Sequence, residues 1–198
     1  MAISRASDSS IQDGLPKYND IWDGTTATSA FDSLGSVLLG TATSTITFSN
    51  IPATYTHLQI RGIARSTRSN SNNNLYIGFN GDTTTGNYNA HFLLGDGASA
   101  SGNQLSGITG MGSIYSVNVA ATSTANVFGG VVIDILDYAN TNKYKTMRTL
   151  SGYDANGSGN IGLLSGLWMN TAAVTSINLA TYYDQYATYS SFALYGIK

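Results

Sequence analysis

Tyr55-Thr56-His57-Leu58-Gln59-Ile60-Arg61-Gly62-Ile63-Ala64-Arg65 is the stretch that decides the fold. Leu58, Ile60, Gly62 and Ala64 alternate with His57, Gln59, Arg61, Ile63 and Arg65. Successive side chains of an extended chain point to opposite faces, so this period of two predicts a strand with a core side and a largely wet side. Outward from it the same signal recurs. Residues 44–49 alternate and are ended by Asn50-Ile51-Pro52. Residues 75–79 and 88–94 read as strands, with Asn80-Gly81-Asp82 and Gly95-Asp96-Gly97 supplying turn chemistry. Residues 126–136 are the most apolar run, which predicts a central strand with Val127, Val131, Ile133 and Ile135 inward. Further strands are expected over residues 114–120, 144–151, 161–169, 174–179 and 189–197. The polar stretches 66–74 and 95–112 read as exposed loops. Roughly ten short strands with turns between them predict an all-β protein: an antiparallel β-sandwich, jelly-roll-like, spanning residues 35–198.

Composition points the same way. Only 10% of the 198 residues are charged, and all eleven acids are Asp; there is no Glu. Glu favours helices and is depleted in strands, whereas Asp belongs in turns. A hydrophobic share of 42% and 13 tyrosines exclude a disordered polar chain. The net charge of −2 supplies no electrostatic footprint for nucleic acid. Cys is absent, so neither disulfides nor thiolate metal sites are expected. No stretch approaches the roughly 20 apolar residues of a membrane-spanning helix, and residues 1–8 lack the apolar core of a signal peptide, which implies synthesis in the cytoplasm without membrane insertion.

Residues 1–34 differ from the rest. They hold five of the eleven Asp, one of two Pro and one of two Trp, without any period-two run. This segment reads as an extended N-terminal attachment arm, with Leu15, Pro16, Tyr18, Ile21 and Trp22 as its anchoring residues. The alternative is a tail folded back on its own domain.

Chemistry is sparse. His57 and His91 sit inside strands with no carboxylate at ligand spacing. Asp134 and Asp137 are three apart, which on a strand turns them to opposite faces, so they do not form the facing pair a glycosidase needs. No G-x-S-x-G stretch positions a serine nucleophile. Gly157-Ser158-Gly159-Asn160-Ile161-Gly162 matches G-x-G-x-x-G, but it opens a strand where a dinucleotide site must open a helix. Asp82, Asp96 and Asp154 lie in loops of a composition that can hold calcium, although turn chemistry accounts for them. The reading is a non-enzyme with no catalytic, cofactor or metal residues. Tyr182, Tyr183, Tyr186 and Tyr189 cluster late in the chain and suit a subunit interface or the core, with sugar stacking as a smaller alternative.

Four stretches together carry a family resemblance: residues 47–61 (TFSNIPATYTHLQIR), 79–82 (FNGD), 133–140 (IDILDYAN) and 190–198 (SSFALYGIK). This pattern resembles a family of virion appendage proteins encoded by tailed phages of aquatic bacteria and cyanobacteria, and it covers the chain from about Trp22 onward. The resemblance implies a virion protein exposed on the particle surface, with other phage capsid or tail proteins as partners. The short arm and the absence of a fibre-like repeat favour a capsid decoration (cement or head-fibre) protein first, with a tail-fibre or baseplate knob that binds a host-surface glycan second. A homo-oligomer is implied, and such appendages are often trimers, although no heptad seam predicts one here. A carbohydrate-binding module outside phages is the remaining alternative.

Overall fold

The computed structural model describes residues 30–70, 72–108, 112–119 and 122–198. Leu15, Pro16, Tyr18, Ile21 and Trp22, the expected arm anchors, lie outside the described residues. The compact body spans Ser33–Lys198. Its strands are β1 (Phe31–Leu38), β2 (Thr45–Phe48), β3 (His57–Ala64), β4 (Asn72–Phe79), β5 (Tyr88–Gly95) and β6 (Ala100–Ile108). They continue as β7 (Gly112–Val119), β8 (Gly129–Leu136), β9 (Lys145–Asp154), β10 (Gly159–Trp168), β11 (Ile177–Thr181) and β12 (Ser191–Ile197). Two of these were not expected. β1 starts inside the stretch assigned to the arm, and β6 occupies the stretch read as a loop.

One sheet has eight strands in the order β1-β12-β3-β8-β9-β10-β5-β6, and the other has four in the order β2-β11-β4-β7. The register pairs recorded between neighbours are all antiparallel. Removing β5–β6 and β9–β10 leaves eight strands that alternate between the sheets along the chain, except that β4 and β7 follow one another within the smaller sheet. Their order, β1-β12-β3-β8 against β2-β11-β4-β7, is that of a jelly roll. The two removed pairs are hairpins inserted into the roll, and both extend the same sheet. The sandwich expected from the alternation is therefore what the chain forms, and it is widened on one side.

The expected faces are realised. In β3 Leu58, Ile60 and Ala64 are buried and Arg61 and Ile63 exposed; in β8 Val131, Ile133 and Ile135 are buried. β8 lies between β3 and β9, as its apolar run required, while Val127 falls before the strand and is only half-buried. The core between the sheets is aliphatic at its centre, with Trp168, Tyr88 and Phe79 meeting at one side.

Turn residues do what their chemistry allows. Among the described residues, six of the seven non-glycine positions at positive φ are Asn or Asp, the side chains that tolerate this region best. Asn156 (φ 61°) and Gly157 (φ 100°) form the two-residue loop of the β9–β10 hairpin, with Asp154 facing Gly159 across it. The G-x-G-x-x-G match is thus a hairpin turn entering β10.

The connections gather at two ends. At one, Tyr138 donates its hydroxyl to the Pro52 carbonyl, and Asn80 ties residues 173–176 through its side chain. Lys145, fully buried there, donates to the carbonyls of Asn140 (2.6 Å), Lys143 (2.9 Å) and Thr171 (3.0 Å). Burial lowers its proton affinity, and the neighbouring Lys143 adds to this. At the other end Arg65 donates to the carbonyls of Ser123, Thr124 and Val127, which pins the β7–β8 connection to β3.

Candidate functional site

The widened sheet exposes its outer face, and cross-strand register arranges that face in rows. Val132, Leu150, Leu163 and Leu93 stand side by side on β8, β9, β10 and β5. The next row is Ile63, Gly130, Gly152 and Ile161. Ile63, Leu93, Leu150, Ile161 and Leu163 are each between 49% and 59% exposed. The two glycines between the isoleucines leave the floor low, and with Leu38 at the far wall they outline a hollow of about 910 Å3. A Cβ built at Gly130 meets nothing within 4 Å. Scattered apolar residues are ordinary on a surface, but a continuous patch of this kind marks an interaction site.

A polar row borders the patch: Gln59, Asp134, Arg148, Ser165 and His91 on β3, β8, β9, β10 and β5. Gln59 Nε2 donates to Asp134 Oδ1 at 2.7 Å, and Arg61 Nε donates to Gln59 Oε1 at 2.7 Å. Arg148, although beside Asp134 in register, makes no ion pair among the described residues.

The late tyrosines do not form one surface. Tyr186 is fully buried, packs edge-on against Phe192 and is bridged through its backbone to Thr43 and Ser66. Of the two places open to it, interface and core, Tyr186 takes the core, and burial pushes its hydroxyl far above the ordinary tyrosine range. Tyr182, Tyr183 and Tyr189 remain exposed. Tyr182 and Tyr183 meet at 4.1 Å between ring centroids, Tyr76 lies 4.9 Å from Tyr182, and the Arg68 guanidinium sits 4.1 Å over the Tyr183 ring. Buried Asn73 holds this segment, donating to Tyr183 O at 2.6 Å and to Ser66 Oγ at 2.9 Å. Asn73 and Ser66 had read as parts of an exposed loop; their side chains instead join β3, β4 and the tyrosine loop.

The loop aspartates serve their own turns. Asp96 accepts from the Ala98 and Ser99 amides and Ser99 Oγ, and Asp154 from the Asn156 amide. Asp82 accepts from the Thr84 amide (2.9 Å), Asn87 Nδ2 (2.8 Å) and Trp168 Nε1 (2.7 Å). Desolvation alone would raise its pKa, but these hydrogen bonds outweigh it and hold the carboxyl well below the ordinary range. His57 does meet a carboxylate in space: its Nδ1 accepts the Asp137 amide at 3.0 Å and lies 3.6 Å from Asp137 Oδ1. The Lys143 ammonium engages the other oxygen and lowers the Asp137 pKa. Asp137 itself turns at φ 47°, closing β8 as a turn residue while Asp134 stays on the outer face. Among the described residues no three His, Cys, Asp or Glu side chains come together at metal-binding distances.

In comparisons with known proteins, the chain matches no family model and no curated protein.

Proposed function

We propose that this chain is a structural protein of a tailed-phage particle, a capsid decoration protein whose body assembles through the outer face of its eight-stranded sheet. One observation carries the reading: the widened sheet presents a continuous apolar outer face, while the loop aspartates Asp82, Asp96 and Asp154 are engaged by their own turns. Such a surface suits assembly rather than turnover. The family resemblance supplies the particle, and the segment that precedes β1 supplies the attachment. Immunogold labelling of particles from the phage that encodes the chain tests this reading. Label over the capsid supports it, and no label on intact particles overturns it. A chain lacking residues 1–29, which spares β1, should lose occupancy on such particles; full occupancy would remove the arm's role.

A second reading, a tail-fibre or baseplate knob, is favoured by the exposed Tyr182–Tyr183 pair under Arg68 at one end of the sandwich, where recognition loops commonly lie. Binding of the purified protein to host cells or a glycan array, lost in Tyr182→Ser/Tyr183→Ser, would select it over decoration.

A further inference from the structure

We infer that the occupant of the apolar sheet face is a second copy of this chain, docked face to face about a two-fold axis running along the strands between β8 and β9. The inference rests on the reading of this face as an assembly surface and names its partner. On the two strands beside that line the pattern is its own complement, while Arg61, one strand further out, falls opposite Leu163. Asp134 and Arg148 are register partners on either side of it, as are Val132 and Leu150, and Gly130 and Gly152. Ile63 and Ile161 flank the glycines at equal distance, one strand further out on each side.

A two-fold rotation about this axis exchanges β8 with β9. It sets Asp134 of one copy over Arg148 of the other, twice, and Val132 over Leu150, twice. Arg148 makes no ion pair within its own chain among the described residues, so a partner's carboxylate completes it. A hydrophobic centre with charges at its margin is the composition of a specific interface.

The size is adequate. Five strands at a spacing of about 4.8 Å and three rows about 6.7 Å apart give a footprint of roughly 500 Å2 per copy. A pair then covers roughly 1,000 Å2, the level at which an interface becomes specific. The geometry is isologous, so it produces pairs and not the trimer expected from resemblance.

Sedimentation velocity on the full chain and its variants reads this directly. The parent should sediment as a dimer. Leu150→Lys/Leu163→Lys should be monomeric with unchanged circular dichroism, and Tyr182→Ser/Tyr183→Ser should remain dimeric. Asp134→Arg and Arg148→Asp should each weaken self-pairing by about ten-fold or more, because each places like charges opposite one another. Mixed in equal amounts, these two variants should form a heterodimer, since every crossing pair is then acid over base. Contacts within one chain cannot produce that rescue. A parent that is monomeric up to about 100 μM or trimeric, a dimer that survives the Leu150/Leu163 change, or a mixture that stays monomeric overturns the inference. Particle labelling reports separately: a monomeric parent that still decorates capsids removes the self-pairing and leaves the virion reading intact.

Discussion

Asp82→Asn should destabilise the protein, and the size and pH dependence of the loss follow from the carboxylate's partners. Asp82 follows the Asn80-Gly81 turn and ties it to β10. Oδ2 accepts from Trp168 Nε1 and Asn87 Nδ2, and Oδ1 accepts from the Thr84 amide. Trp168 is buried and packs against Phe79 and Tyr88, so its N–H has little access to water. An amide presents one acceptor oxygen. Whichever way Asn is oriented, its NH2 faces a donor, and the charge assistance is gone. Hydrogen bonds to a charged acceptor contribute about 1.5–3 kcal/mol, and Thr84 is exposed enough to turn to water, so a net loss of about 2 kcal/mol is expected. For a body of this size that lowers Tm by about 4–8 °C. The folded carboxyl has a depressed pKa, so its stabilisation is complete above the unfolded value of about 3.9 and is lost progressively as pH falls from there through the folded value. The gap between parent and variant should therefore be full at pH 7 and narrow steadily below about pH 4. Urea unfolding followed by circular dichroism at several pH values measures both effects. A variant within about 0.5 kcal/mol of the parent at neutral pH, or a gap that does not narrow below about pH 4, refutes the reasoning. Trp168→Phe closes a mutant cycle, in which a coupling energy of about 1 kcal/mol or more is expected.

Three further predictions concern the core. Lys145→Met leaves the carbonyls of Asn140, Lys143 and Thr171 without their buried donor and should cost about 3 kcal/mol in urea unfolding. Tyr186→Phe removes a buried hydroxyl that has no hydrogen-bond partner; chemical denaturation should show a gain of about 1 kcal/mol, and a loss of that size would mean the hydroxyl is satisfied. Gly62→Ala places a Cβ 2.3 Å from the Phe192 ring and should lower stability by about 2 kcal/mol, with recovery when Phe192→Leu is added.

The elements that sequence reading located are those whose two faces differ. β3 alternates cleanly, β8 carries its aliphatic residues at every second position, and the Asn-Gly turns declare themselves. β1 and β6 escaped because edge strands need no strong apolar face. In β6 the residues Ala100-Ser101-Gly102-Asn103-Gln104 are all exposed, and nothing in their composition separates them from a loop. Tyr186 escaped for a different reason. Tyr182, Tyr183, Tyr186 and Tyr189 share one short segment, and composition cannot say which ring the backbone turns inward. The two bridges from Tyr186 to Thr43 and Ser66 decide it, and both partners are more than a hundred residues away in sequence.

The sheet face was hidden for a reason intrinsic to jelly rolls widened by hairpins. A strand with apolar residues on one side announces its core, but β10 has Leu164 and Trp168 on the inner side and Ile161 and Leu163 on the outer. Read alone, that run is what a strand buried on both faces looks like, and such strands belong to the middle of layered folds. The four-stranded second sheet covers only one side, so the other side of β10 needs a cover that the described fold does not provide. The patch itself exists only through register: Val132, Leu150, Leu163 and Leu93 come from four different strands and become neighbours when β8, β9, β10 and β5 align. A solvent-facing sheet with that row would also be an aggregation hazard unless its pairing were specified. Asp134 and Arg148 at its margin are what specify it, because a slipped or parallel stacking would set like charges together or leave both charges unpaired.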